Sequence, residues 1–333
     1  MQSHGGLLED FLHRRRVSER TEAAYLDKYR DLLRDFPILQ SDLLSAAEVD
    51  RVLDQHLHDM FIRGHSIHEA RYALYATCWA RVLAARQLPR AQRALQGFRR
   101  LDPESMRDPV PWDAVLLVAA RLCQNPVTAH DVIVGVAMLF NFDSYARPGS
   151  LLQLRVDSLV PPVKGVGTDA PKWALIFFPS TENQRSKTFT QDDTVIVGVQ
   201  PERAFLNNVL SSWVRKLLKH SRLFPISHAF YAKRIRETSV LLGLSYLHFV
   251  PHMLRHGGAS LDALNGIDLR DIQRRGQWIT RESVNRYSKH GRYLRQLQRM
   301  TFASRSDARL AFTWLTKNLA KLVANYDFSV FPP

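Results

Sequence analysis

The chain has 333 residues, with 46 Lys and Arg against 32 Asp and Glu, a net charge of +14 with His neutral. That length fits two domains, and a hydrophobic share of 45% argues against wholesale disorder. No apolar run approaches the roughly 18 residues of a membrane span, and two cysteines far apart, Cys78 and Cys123, argue against a disulfide framework or a Cys-based zinc site.

The first hundred residues read as helices. Leu7, Leu8, Phe11 and Leu12 open an amphipathic stretch, and Ser18 precedes another carrying Ala24, Tyr25, Tyr29, Leu32 and Leu33 at helical spacing. Ser45 with Glu48 three residues on forms a capping-box pattern ahead of Val52, Leu53, Leu57 and Phe61. Further helices are predicted from about Ser66 to Ala85 and from about Arg90 to Phe98. Pro103, Pro109 and Pro111 then punctuate a mostly polar stretch, which reads as an interdomain linker. The boundary is therefore placed between residues 1–105 and 106–333.

The second domain is predicted to begin with helices at about Trp112–Leu122 and Ala129–Asn141. Two short β-rich runs follow, Trp173–Phe178 and Thr194–Val197, separated by the polar segment Ser180–Asp193, a pattern for a β-hairpin with a long tip. Helical patterns resume to the end, finishing at about Asp307–Ala324 with Leu310, Phe312, Leu315, Leu319 and Leu322 apolar. The fold class expected is mainly α with a small antiparallel sheet: a helical N-terminal domain and a mixed α/β second domain. Charge is uneven along this layout. Residues 1–100 hold 16 basic and 13 acidic side chains, and residues 101–333 hold 30 and 19. Such a surplus points to an acidic partner, nucleic acid being the commonest.

The densest chemistry lies in Pro251-His252-Met253-Leu254-Arg255-His256-Gly257-Gly258, followed by Gly276-Gln277-Trp278 and then Asn285-Arg286-Tyr287. On a helix His252 and Arg255 share a face, and two cations at a helix start suit an anion. A tyrosine in an Arg- and Lys-rich segment is a candidate nucleophile towards phosphorus. Metal ligation competes for His252 and His256, but no carboxylate stands between them in the zincin manner.

The order His-x-x-Arg-His, Gly-x-Trp, and Tyr nine residues after that Trp resembles the C-terminal signature of the tyrosine recombinase (phage integrase) family. The Gly266-Ile267-Asp268-Leu269 to Ile272-Gln273 segment is also similar to that family. The resemblance implies a catalytic set. It would comprise Arg147, in Tyr145-Ala146-Arg147-Pro148-Gly149-Ser150-Leu151, with Lys187, His252, Arg255, Trp278 and Tyr287. Pro148 replaces a common aliphatic residue at a position that tolerates it, and Ser150 stands where an acidic residue often supports the arginine. Lys187 falls in the tip of the expected hairpin, with Lys172 and Lys164 as alternatives. Tyr293 is the alternative nucleophile. The N-terminal helices resemble the core-binding domain that clamps DNA opposite the catalytic domain.

What the resemblance implies is phosphodiester transesterification without metal or cofactor. Tyr287 would attack phosphorus, form a 3′-phosphotyrosyl link and release a 5′-hydroxyl, which later rejoins the strands. Arg147 and Arg255 would hold the nonbridging oxygens, with His252 and Trp278 completing the pocket. Lys187 would protonate the leaving oxygen, while His256 would assist the tyrosine's deprotonation or only pack. The expected partners are double-stranded DNA and further copies of the chain, as a homotetramer on two DNA sites, with no membrane and no small-molecule substrate. The tail helix would dock on a neighbouring protomer or pack on its own domain. No secretion signal is read in the N-terminal residues, so the chain is expected inside the cell with the DNA. Two other readings stay open: a recombinase-derived DNA-binding protein without catalysis, and a type IB topoisomerase-like enzyme.

Overall fold

A computed structural model describes residues 17–103, 107–177 and 194–326. The predicted stretch around Leu7–Leu12 and the predicted lysine Lys187 lie outside the described residues. The chain divides into two compact units, Met1–Met106 and Arg107–Pro333.

Among the described residues the first unit contains four α-helices: α1 (Glu19–Asp35), α2 (Ala46–Ile62), α3 (Ile67–Ala80) and α4 (Pro89–Leu101). Their starts follow from capping chemistry. Ser18 Oγ accepts from Thr21 N–H, and the Ser45–Glu48 capping box is complete, with Ser45 N–H donating to Glu48 Oε2 at 2.8 Å. Ser66 and Glu69 form a second box at the start of α3. The hydrogen bonds from Ser66 hold the Glu69 carboxyl down at about 2. The start of α4 is capped from another element: buried Asp50 on α2 accepts from the N–H groups of Arg90 (3.0 Å) and Ala91 (2.9 Å). Leu32, Val49, Leu53, Leu57, Leu74 and Phe98 close one apolar core.

The helix expected to run to Ala85 stops at Ala80. Val82 takes the left-handed conformation (φ 52°), and Leu83 N–H donates back to Cys78 O at 2.9 Å, a Schellman-type closure. The Arg81 guanidinium then reaches the carbonyls of Leu39 and Ser41. That long-range bonding leaves no periodic signal in sequence.

The chain enters the second unit at Arg107 and Asp108. The Asp108 carboxylate accepts from Arg292 (2.9 Å), Gln296 (2.7 Å) and Arg295 (3.3 Å), and Lys289 Nζ donates to Arg107 O at 2.8 Å. Helices α5 (Trp112–Gln124) and α6 (His130–Ser144) follow, packed on each other. All of α6 after its first residue is buried, as its nearly unbroken apolar sequence requires. The short α7 (Pro148–Gln153) leads into a small β region. Strands β1 (Leu159–Val160), β4 (Ala174–Ile176) and β5 (Thr194–Ile196) form an antiparallel sheet ordered β1-β4-β5, with Leu175 opposite both Leu159 and Val195. The expected hairpin of β4 and β5 is present. A second, exposed hairpin, β2 (Val163–Gly165) with β3 (Thr168–Ala170), was not foreseen, because neither strand carries a buried alternating face.

Helices α8 (Leu206–Val214), α9 (His228–Leu241), α10 (Pro251–Leu264), α11 (Leu269–Arg275), α12 (Arg281–Tyr287), α13 (His290–Arg299) and α14 (Phe302–Ala324) complete the unit. The last begins earlier than the sequence suggests, at a Thr301 cap. It packs on α5 and α8 of its own unit through Ala308, Ala311, Leu315, Leu319 and Val323, leaving Leu310 exposed. No helix among the described residues is long and apolar enough to cross a membrane. The described fold is mainly α with a small antiparallel sheet.

Candidate active site

Helix α10 carries two of the six candidate residues, His252 and Arg255, and with them His256. Pro251 opens the helix, His252 is its second residue, and Arg255 and His256 follow on the same face. The helix is pressed onto its surroundings at Gly258, where a Cβ would lie 2.1 Å from Phe142 O and 2.7 Å from the Tyr145 ring. Only a residue without a side chain fits that approach. Trp278 is delivered by the end of α11, where Gly276 caps the helix against the indole and a Cβ would meet the ring at 2.2 Å. Tyr287 is the last residue of α12, which starts on a Thr280 cap. Ser260 of α10 anchors that end: its hydroxyl donates to Tyr287 O (2.9 Å) and accepts from Lys289 N–H (2.8 Å).

These elements assemble a tight aromatic cluster. The Tyr287 ring stacks on His256 (4.4 Å, 24°) and on Trp278 (4.7 Å, 24°). The Arg255 guanidinium carbon lies 4.4 Å from the Trp278 ring centre and 5.0 Å from that of Tyr287, within cation–π range. The Tyr287 hydroxyl is 3.4 Å from His252 Nε2. Arg147 caps α7 just ahead of Pro148 and is half-buried. Its positive charge acts on both His252 and Arg255.

Electrostatics in this pocket are those of crowded cations out of water. Arg255 is 2% exposed, and burial, reinforced by Arg147, brings its pKa down to about 9. Burial and the nearby charges of Arg107, Arg255, Arg147 and Lys289 lower His252 to about 4. Burial, with Lys289, His252, Arg255 and Arg107, lowers His256 to about 3. Both imidazoles are therefore neutral near pH 7. Arg255 Nε, His256 Nδ1 and Trp278 Nε1 are buried without a hydrogen-bond partner. Buried polar groups are costly to leave unpaired, and three such nitrogens lie together here.

Arg255 is held from behind. It donates to the backbone carbonyls of Tyr145 and of Gly276, the latter at 2.6 Å. Tyr145 closes α6 in the left-handed conformation (φ 52°). Its ring is stacked on Trp278 (6.3 Å, 18°), and its hydroxyl donates to Asp262. Asp262 also accepts from Arg203, which is fully buried. Arg203 lies 3.5 Å from Asp143, and Asp143 pairs with Arg275 at 3.0 Å.

Five of the six candidate residues, Arg147, His252, Arg255, Trp278 and Tyr287, thus gather in one neighbourhood. Lys187 belongs to the segment between β4 and β5. Of its alternatives, Lys172 donates to Val199 O at 3.3 Å and Lys164 lies on exposed β2, opposite Asp169. Tyr293, the alternative nucleophile, is 2% exposed, and its hydroxyl accepts from Trp112 N–H at 2.8 Å. Burial raises its phenol pKa. Sequence reasoning passed over Tyr145, Arg203, Ser260, Asp262 and Arg275. The one signal available was that Asp262 interrupts the otherwise apolar and small run Gly257–Leu264.

No family model matches the chain, and no curated protein matches it. Several solved structures do. The chain is similar to the XerH site-specific recombinase bound to palindromic difH substrate in a post-cleavage complex, at 14% identity and TM-score 0.49, covering 77% of this chain and 71% of that one. It is also similar to the XerA recombinase, at 16% identity and TM-score 0.38 over 88% and 96% of the two chains. A pre-cleavage complex of XerH with difH matches at 13% and 0.43, over 83% and 89%. At these identities and scores the likenesses carry no functional weight, and the chain's own side chains bear the reading that follows.

Proposed function

We propose that this chain is a tyrosine-type DNA recombinase, which cuts and rejoins strands through a covalent 3′-phosphotyrosyl intermediate. The observation that carries the reading is the surround of Tyr287: its hydroxyl is 3.4 Å from a neutral imidazole, and its ring lies against Arg255 with Arg147 near enough to act electrostatically. A phosphodiester brought to the phenol would meet two guanidinium groups, which suit its oxygens and the extra charge of a five-coordinate phosphorus. In the first step the Tyr287 oxygen bonds to phosphorus, the bond from phosphorus to the 5′-oxygen breaks, and the phenolic proton passes to His252 Nε2. Phosphate charge in the pocket raises the affinity of that imidazole for the proton. A proton from Lys187 completes the 5′-hydroxyl. Reversal by a 5′-hydroxyl from a partner strand rejoins the DNA and regenerates the phenol, so bond energy is conserved.

In this reading residues 1–105 clamp duplex DNA and residues 106–333 carry the chemistry. The positive surplus in the second part fits phosphate contacts along a duplex, with binding that weakens steeply with salt. The assembly proposed is a tetramer on two DNA sites.

The test is a suicide-substrate trap. The protein and its Tyr287→Phe variant are incubated in EDTA with nicked duplexes drawn from pooled genomic fragments. Adducts are resolved on denaturing gels, and the modified residue is identified by mass spectrometry. The expected result is an adduct on Tyr287 that the variant lacks. Salt-sensitive DNA binding without any adduct, across the full fragment pool, would favour a DNA-binding protein that has lost catalysis.

A further inference from the structure

The nucleophile and the cations around it hold no direct carboxylate brace among the described contacts of Arg255. That guanidinium donates instead to two backbone carbonyls, and one belongs to Tyr145. Tyr145 meets the site in three separate ways. Its carbonyl takes a hydrogen bond from Arg255, its ring stacks on Trp278, and its hydroxyl is fixed by Asp262. The guanidinium of Arg275 covers the same ring at 5.4 Å.

The backbone at this position makes the arrangement unusual. A bulky residue at φ 52° occupies a conformation that favours glycine or asparagine. A tyrosine persists there only if its side chain is over-determined by its surroundings. That determination is visible: Asp262 is shared between Tyr145 and fully buried Arg203, and Arg203 leads through Asp143 to Arg275. Two buried acids thus face two arginines, and among the described contacts Tyr145 is the one member of the network that also touches the site.

We propose that Tyr145 is a positioning residue, in which a phenol tied to the Asp262–Arg203 pair sets the Trp278 ring and the Arg255 guanidinium against Tyr287. The functional half of this inference rests on the recombinase reading. The geometric half does not.

The experiment is run on the full chain. Protein labelled with 15N-tryptophan gives six indole N–H resonances, one per tryptophan, and the Trp278→Phe variant assigns that of Trp278 by its disappearance. In Tyr145→Phe, which keeps the ring and loses only the hydroxyl, the Trp278 resonance shifts or broadens while the other five hold their positions. In parallel, single-turnover adduct formation on a nicked duplex slows roughly tenfold at saturating DNA, with the half-saturating DNA concentration unchanged, as displacement of a preorganised group requires. Tyr145→Asn, which suits the left-handed backbone and keeps the carbonyl, slows adduct formation at least as much. If the backbone conformation were the whole role, Asn would match the parent. An unmoved Trp278 resonance in Tyr145→Phe overturns the proposal, as does a shift of all six resonances together. A moved resonance in a protein that forms no adduct keeps the positioning and overturns the recombinase reading.

Discussion

The core of the first unit and the aromatic cluster around Tyr287 are both small and buried, yet they use polar groups in opposite ways. In the first unit the core is aliphatic, and most polar groups with a structural task stand at helix ends, where the Ser45–Glu48 and Ser66–Glu69 boxes are exposed. Buried Asp50 is engaged by two backbone donors, and His56 Nε2 is the one buried side-chain nitrogen or oxygen without a partner among the described residues of that unit. Around Tyr287 the reverse holds: an arginine, two imidazoles and an indole lie inside, three of their nitrogens without partners. A region selected for folding places polar groups where a partner or water is at hand. A region selected for chemistry keeps polar groups dry, lowering the proton affinity of its bases and sharpening its charges.

The contrast can be broken most forcibly at Arg255. Arg255→Ala is expected to slow adduct formation by about 10²–10³-fold, the scale for losing one preorganised charge stabiliser. A single-turnover assay reads it, and a variant within threefold of the parent would remove Arg255 from the chemistry. Next in size is Arg203→Met, which strips the fully buried partner from Asp143 and Asp262. Leaving buried Asp262 without its cation, while Asp143 keeps Arg275, costs about 3–5 kcal/mol, to be measured by urea unfolding followed through near-ultraviolet circular dichroism. A loss below about 1 kcal/mol would mean that the network is looser than its distances imply.

The pH dependence follows from His252 and His256. Their folded values of about 4 and about 3 lie below the ordinary 6.5, so the unfolded chain binds more protons between those limits. Stability therefore falls as pH is lowered from 6.5 towards 4, and is regained as it rises. The urea midpoint should show that slope, and the slope should flatten in His256→Asn. In the first unit the expected effect is smallest. Ser66→Ala removes one cap at a cost of about 1 kcal/mol, which a thermal melt of the whole chain reads as a small shift. A large one would show that the cap supports more than its own helix.

The parts legible in the sequence were those written in local patterns. The Ser45–Glu48 capping box announced α2, helical spacing announced α3, and the β-rich runs announced the β4–β5 pairing. The residues around Tyr287 were legible because their spacing resembles a known signature. The rest depends on contacts between distant segments. Nothing near Val82 in sequence foretells a left-handed stop, and neighbouring Glu202 does not foretell the full burial of Arg203, whose buried partners Asp143 and Asp262 lie about sixty residues away on either side. Leu310 was assigned to the apolar face of the last helix by composition, while the buried stripe runs through Ala308, Ala311, Leu315 and Leu319. Small residues there let α14 approach α5 and α8 closely, a feature that hydrophobicity alone does not rank.

The entry of the chain into its second unit has a mechanical meaning. Arg107 and Asp108 are fastened to Lys289, Arg292 and Gln296, all within ten residues of the phenol. The start of the second unit and the segment that follows Tyr287 are therefore tied directly to each other, and a displacement of one loads the other.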